Sequence, residues 1–279
     1  MKNAKKKMAA DADKYALYRL SVQAPEHEVE QFVSFYKEEF KRQPTSLRED
    51  FCAAAAVCVE WAKLGRDKTA VGVDLDPEPL RYGTQHYLST LDEEQKSRVQ
   101  LVREDVLETK HKAEIIAAQN YSFFLFKTRP LLLRYFKAVQ RSLEKEGLFV
   151  LDVMGGGAMF DEDIEESRSV ARPSRADKLA NPPFRYVWQE ETFNPITHDV
   201  LFHIHFRFPD GSALEKAFTY DWRLWSLPEI TELLDEAGFS KVHVYWETQD
   251  KNGEASGKYK RETKGRPDQA WLAYVVAVR

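Results

Sequence analysis

Cysteine is scarce. Cys52 and Cys58 are the only two in 279 residues, too few for a disulfide framework. Six residues apart on one expected helix, they point about 240° apart, and they read as small buried residues of a cytoplasmic protein. An excess of one charge is also missing: 41 bases face 45 acids, for a net charge of −4. That balance gives no field to draw in nucleic acid or an anionic membrane. No apolar run approaches the roughly 18 residues of a spanning helix. The opening MKNAKKKMAADADK carries lysines with no apolar stretch behind them, so it reads as a solvated tail and not a secretory signal. Metal-ligand spacing is lacking too. His203 and His205 face one way on an expected strand, but no acid or third histidine completes a set, and no metal is expected.

Present instead is enough apolar material, 43% of residues, for one large domain or one domain with an insertion. Residues 26–41 carry Val29, Phe32, Val33, Tyr36 and Phe40 as a helical stripe that Pro44 stops. Short valine-rich runs follow at Thr69–Asp74, Val99–Val102, Ala113–Gln119 and Leu148–Val153. Helices are expected between them over 78–88 and 129–143, the second capped by Gly147. Strands alternating with helices imply a doubly wound, mostly parallel sheet with helices on both faces.

After Asp152 the texture changes. Residues 155–183 read as a mobile connection. From Phe184 to Trp246 there are 14 aromatics in 63 residues, against 13% for the chain. Val200–Phe208 alternates, with Val200, Phe202, Ile204, Phe206 and Phe208 on one face and His203, His205 and Arg207 on the other. Pro209-Asp210-Gly211 is a turn, and Leu214–Tyr220 can return antiparallel. Phe184–Phe193 can add another strand. Pro228–Ala237, closed by Gly238, reads as a helix, Lys241–Glu247 as a strand, Thr248–Gln269 as a polar loop and Ala270–Val278 as a last buried strand.

Ligands of such sheets bind beyond the carboxyl ends of the strands. Acids stand at several of them: Glu49/Asp50, Asp74 and Asp76, Asp105, Asp152. A carboxylate only accepts, so it suits a ligand that presents ribose hydroxyls or an adenine amino group. Asp74 stands where a doubly wound fold places its ribose-binding acid. Asp76 before Pro77 reads as a helix cap.

With these residues in view, the chain resembles the class I S-adenosylmethionine-dependent methyltransferases over about 44–153, and more loosely over 228–279. "LREDFCAAAA" stands where that family has an acid and a glycine-rich turn, with Glu49 matching the acid and Ala53 and Ala55 two of the glycines. Asp74 of "VGVDLD" matches the ribose acid, Asp105 of "VREDV" the adenine position, and Asn120 of "AAQNYS" the methyl end. "GLFVLDV" matches the fifth strand, and "LPEITELLDEAGFSKVHVYW" with "WLAYVVAV" the closing helix and strands.

The resemblance implies a seven-stranded sheet with an antiparallel last strand and an antiparallel β lid after the fifth strand. It divides the chain into an N-terminal helical segment over the cofactor site (1–43), a cofactor core (44–154), a lid for the acceptor (155–227) and a completion of the core (228–279). S-adenosylmethionine is the implied cofactor, held by Tyr18, Arg48, Glu49, Phe51, Cys52, Ala53, Asp74, Leu75, Asp105, Val106 and Asn120. Tyr15 or Tyr18 of "DKYALYRLSVQ" can place a ring against the sulfonium.

The alanines depart from the family. Glycine admits φ > 0, whereas a left-handed alanine costs about 1 kcal/mol. Either the turn is right-handed and still offers the Phe51–Ala53 amides to the cofactor's carboxylate, or the methyls fill the pocket. In-line methyl transfer needs positioning more than a catalytic group. If the nucleophile needs a base, the candidates are His203, His205 and Tyr18. The acceptor is expected to be a small apolar or aromatic molecule, with no nucleic acid or membrane partner. A non-catalytic methyltransferase-like module and an RNA or protein methyltransferase stay open. A dinucleotide dehydrogenase needs a glycine-rich turn, where this chain has alanines.

Overall fold

The computed structural model describes residues 7–170, 183–253 and 255–279. They divide into two compact units, Met1–Ala24 with Met159–Leu224, and Pro25–Ala158 with Trp225–Arg279. The chain opens in the smaller unit with α1 (Lys14–Ser21) and passes to the larger unit at α2 (Pro25–Phe40).

The larger unit then alternates: β1 (Ser46–Asp50), α3 (Ala56–Lys63), β2 (Thr69–Asp74), α4 (Pro77–His86), the one-turn α5 (Glu93–Lys96), β3 (Val99–Arg103), β4 (Ala113–Ala118), α6 (Arg129–Ser142) and β5 (Leu143–Gly155). The expected capping glycine of α6 is not one. The helix ends at Ser142, Leu143 is already extended, and Gly147 lies inside β5, beside a register shift against β4. A Cβ there would stand 2.7 Å from the Glu144 carbonyl, so glycine serves a bulge and not a helix end.

β6 (Ile164–Val170), β7 (Phe184–Phe193), β8 (Asp199–Arg207) and β9 (Ala213–Arg223) belong to the smaller unit. α7 (Leu227–Glu236), β10 (Lys241–Gln249), β11 (Ala255–Arg261) and β12 (Trp271–Val278) complete the larger one. Its sheet has eight strands in the order β11-β10-β12-β5-β4-β1-β2-β3, parallel from β3 through β5 and antiparallel beyond. The eighth strand, β11, lies in the stretch expected to be a loop. It is an edge strand carrying Lys258 and Lys260, charges that discourage further pairing, and its Tyr259 packs on Tyr274 at 4.7 Å. The core under this sheet gathers Phe32, Phe35 and Tyr36 of α2 with Val57, Cys58 and Trp61 of α3 and the inner faces of β1, β4, β5 and β12.

The smaller unit is an antiparallel sheet, β6-β7-β8-β9. Its apolar face carries Phe184, Ile204, Phe206 and Phe218 against Leu17 and Tyr18 of α1. β6 replaces the beginning of the expected mobile connection, whose residues 171–182 lie outside the described ones. The expected solvated tail is likewise held from its first described residues. Met8 N–H donates to Asp210 at 2.7 Å and Ala9 N–H to Ser212 Oγ at 3.0 Å. Among the described residues no helix is long and apolar enough to cross a membrane.

Candidate functional site at the strand tips

In the large sheet the chain runs outward from β1 to β3, then crosses to β4 beside β1. The carboxyl ends of β1 and β4 therefore flank the switch point where such sheets bind ligands. Of the two alternatives for the loop after β1, the right-handed turn is not the one adopted. Phe51 (φ 57°), Ala53 (φ 47°) and Ala55 (φ 59°) are all left-handed. The loop after β4 adds Asn120 (φ 56°) and Tyr121 (φ 57°). These are five of the nine left-handed non-glycine residues among those described, and each costs about 1–2 kcal/mol. Alanine thus occupies the backbone conformation that glycine would take freely.

The strand-tip carboxylates offset that strain. Asp74 Oδ2 accepts the Ala53 N–H at 2.8 Å, and its Oδ1 accepts the Asp76 N–H at 2.9 Å. Asp152 accepts the Asn120 and Tyr121 N–H groups at 2.8 and 2.9 Å. A hydrogen bond to a charged group is worth about 1.5–3 kcal/mol, the scale of the strain it opposes. Cys52 N–H donates to the Val73 carbonyl at 3.1 Å. Two of the three amides that the sequence assigned to a ligand are therefore occupied within the protein.

Glu49 has a third such task. Ala55 caps α3 without a side chain that can accept, so the carboxylate of Glu49 reaches the helix from below. It accepts from Cys58 N–H at 3.3 Å and from its thiol at 3.2 Å. Burial pushes Glu49 up to about 8 and Asp152 up to about 7. It also raises Asp74, against the pull of its amide donors. Arg48 is fully buried, paired with Asp50 at 2.8 Å and donating to the His111 carbonyl at 2.9 Å. Asp50 also accepts from Tyr135 at 2.9 Å. Arg48 and Glu49 thus lie beneath the loop, not on its surface.

Glycine does appear where the loop is braced from outside. A Cβ on Gly83 of α4 would stand 2.2 Å from the Ala54 carbonyl, and one on Gly72 would stand 2.8 Å from Cys52 Sγ. Cys52 and Cys58 do not share a helix: Cys52 belongs to the loop and Cys58 to α3, and both are buried free thiols. Sequence reasoning missed Gly83, although a lone glycine within a helix is a signal of close packing. It also missed the triad of Arg48, Asp50 and Tyr135, whose third member lies 85 residues from Asp50.

Four expected residues stand at the neighbouring strand ends. Asp74 is half-buried, Leu75 is 60% exposed, Val106 is buried and Asp105 is half-buried, its Oδ1 accepting the Leu107 N–H at 2.9 Å. Phe51 sets its ring edge-on to Phe126 at 5.8 Å.

The other named residues belong to the smaller unit. The Tyr18 ring packs on Phe218 at 4.8 Å and its hydroxyl bonds Tyr220. His203 and His205 share the polar face, as the alternation predicts. His203 contacts Glu191 at 2.8 Å and Thr219 at 2.9 Å; His205 contacts Gln189 at 2.9 Å and accepts the Lys216 N–H at 3.1 Å. Every ring nitrogen is engaged, and burial with the Lys216 charge lowers His203. Glu191 and Glu215 are acids beside these rings that the sequence spacing did not reveal. Among the described residues no group of three or more histidines, cysteines or acids is placed to hold a metal.

No protein-family model matches the chain, and no curated protein matches its sequence. Solved structures do match its fold. An S-adenosylmethionine-dependent methyltransferase from Clostridium acetobutylicum superposes with a TM-score of 0.65 at 15% identity, covering 95% of this chain and 96% of its own. An amino pentose methyltransferase of Micromonospora echinaspora, involved in calicheamicin biosynthesis and crystallised with S-adenosylmethionine, gives 0.66 at 13% identity over 100% and 99%. A sugar N-methyltransferase of Streptoalloteichus gives 0.63 at 15% identity over 100% and 98%. The eight-stranded larger unit, the antiparallel sheet inserted after β5 and the strained switch-point loops are thus set in the fold of the class I S-adenosylmethionine-dependent methyltransferases.

Proposed function

We propose that this chain binds S-adenosylmethionine at the tips of β1, β2, β3 and β4 and transfers its methyl group to a small-molecule acceptor. One observation carries the reading: backbone strain is concentrated at the switch point and held there by carboxylates that keep spare lone pairs. Strain of that kind persists where the surrounding structure maintains it for a purpose.

The donor set fits the cofactor. Each oxygen of Asp74 holds one amide and can still accept a ribose hydroxyl, since a carboxylate offers about four acceptor sites. Exposed Leu75 offers apolar surface to an adenine ring, with Asp105 an acceptor for its amino group; Val106 is buried. Phe51, Ala53 and Asn120 border the methionine end. Burial raises Glu49, Asp74 and Asp152, and the positive sulfonium and ammonium of the cofactor would favour their charged forms. When bound, the cofactor supplies a methyl group already activated on sulfur. The protein's part is to align and to exclude water, and alignment can lower a barrier by about 7–11 kcal/mol in the best cases. No base is needed for that, and the engaged rings of His203 and His205 are not assigned one. The smaller unit is proposed to carry acceptor recognition.

Titration calorimetry with S-adenosylmethionine and S-adenosylhomocysteine tests the reading. Binding of at least one in the micromolar range is expected, weakened about tenfold or more in Asp74→Ala, the scale of losing charged hydrogen bonds. Absence of heat with both ligands would favour a binding module that does not use the cofactor.

A further inference from the structure

Acids on the two faces of the small sheet have different company. On the polar face, Glu165 pairs with Arg207 at 2.8 Å, Glu191 with Lys216 at 2.6 Å, and Glu215 with Arg207 at 3.4 Å. Glu190 faces the other way. It is 4% exposed, and its Oε1 accepts from Trp188 Nε1 at 3.2 Å. Its Oε2 is buried and has no partner among the described residues. The charges that bear on it, Glu166 and Asp161, have the same sign and add to burial in raising its carboxyl above the usual range.

The placement is built into the strand. β7 has a register shift between Glu190 and Thr192, the kind of bulge that re-aims a side chain. Glu190 stands opposite Phe202, which stands opposite Tyr220. Trp188 lies 5.1 Å from the Phe202 ring and 5.8 Å from Tyr220. An orphaned carboxylate oxygen in such a place is costly unless something pairs with it. Aromatic faces attract cations and the carboxylate accepts their N–H bonds, so the complement of this cluster is an ammonium group on an apolar body.

We propose that Glu190, with Trp188, Phe202 and Tyr220, binds the ammonium group of an organic amine, and that the methyl acceptor is a molecule of this class. The assignment to the acceptor rests on the function proposed above; the binding site itself does not.

The test uses the full chain without cofactor, with saturation-transfer NMR and calorimetry at pH 7. The probes are 2-phenylethylamine and the nearly isosteric 2-phenylethanol. The amine is expected to bind about tenfold more tightly than the alcohol, the scale of one charge-assisted contact with cation–π support. Glu190→Gln removes that preference. Glu191→Gln, one residue on and facing the opposite way, keeps it. Equal binding of the two probes by the unaltered chain, binding of neither, or a preference that survives in Glu190→Gln would overturn the site. The preference of the unaltered chain is informative even if Glu190→Gln fails to fold. Because no cofactor is present, these outcomes are separate from a failure of S-adenosylmethionine binding.

Discussion

At the amino ends of the parallel strands, acids meet cations. Glu114 pairs with Arg42 at 2.6 Å and accepts from the Thr45 hydroxyl at 2.9 Å, while Glu146 takes the same guanidinium at 2.8 Å. Lys68 is held between Asp67 and the Pro44 carbonyl. At the carboxyl ends of the same sheet, Asp74, Asp152 and Glu49 meet backbone amides instead. The ionisation follows. Burial works against the Glu114 charge, yet Thr45 and Arg42 outweigh it and hold the carboxyl below its usual range. Burial prevails at Glu49, Asp74 and Asp152, and all three are raised. One end of the sheet is thus satisfied within the chain. The other keeps acid and strain together, an arrangement that a donor-rich, positively charged ligand would relieve.

The sharpest way to break this contrast is a methyl group on each side. Gly83→Ala drives a Cβ to 2.2 Å from the Ala54 carbonyl, where only backbone can give way. The expected outcome is loss of S-adenosylhomocysteine affinity by about a hundredfold, the scale of ångström-level misplacement, with the far-UV circular dichroism of the sheet retained. Gly65→Ala near the amino ends meets the flexible Asp67 carboxylate at 2.7 Å and should leave affinity within about twofold, since surface changes of that kind shift energies by about 0.5 kcal/mol or less. Equal effects of the two would remove the loop from the site.

A subtler test is pH. Glu49 is raised in the folded state to about 8, above its unfolded value of about 4.3. Its stabilising proton linkage is full below pH about 4 and is lost as pH rises through 8. Glu114 is lowered, so its contribution is present above its unfolded value and is lost on acidification through its folded one. In thermal melts, Glu49→Gln should therefore gain on the unaltered chain between pH 5 and 8 by several degrees (about 2–4 °C per kcal/mol at this size). Glu114→Gln should lose most near neutrality and approach the unaltered chain in acid. Parallel pH profiles for the two variants would contradict the contrast.

The smallest effect concerns the loop's own residues. Ala53→Gly relaxes a left-handed alanine but adds freedom to the unfolded chain, so denaturant melts should show a gain of at most about 1 kcal/mol. A loss of 1 kcal/mol or more would mean that the Ala53 methyl is needed for packing.

Much of this fold was legible in the sequence because its signals are local. Thr69–Asp74 is apolar and valine-rich, Pro77 opens α4 and Gly238 closes α7, and each pattern needs only its neighbours. β6 and β11 were illegible because these edge strands carry no apolar alternation: Ile164–Val170 holds two glutamates, an arginine and two serines. At the site, the acids at the strand tips were visible, and so was the resemblance they carry. Their immediate partners were not. Asp74 holds an amide 21 residues away and Asp152 a pair about 32 away, distances over which no spacing rule operates. Nothing local says that Phe51, Ala53 and Ala55 are left-handed. Tertiary hydrogen bonds and the close approach of Gly83 select that conformation.

A loop of alanines at the proposed binding site has one further effect. Glycine-rich loops sample many shapes and must surrender that freedom when a guest arrives. The stretch from Phe51 to Ala55 has far fewer shapes to surrender. It is moulded in advance, so the entropic penalty on association should be small and the fit unforgiving: an ill-sized analogue would meet a wall rather than a hinge.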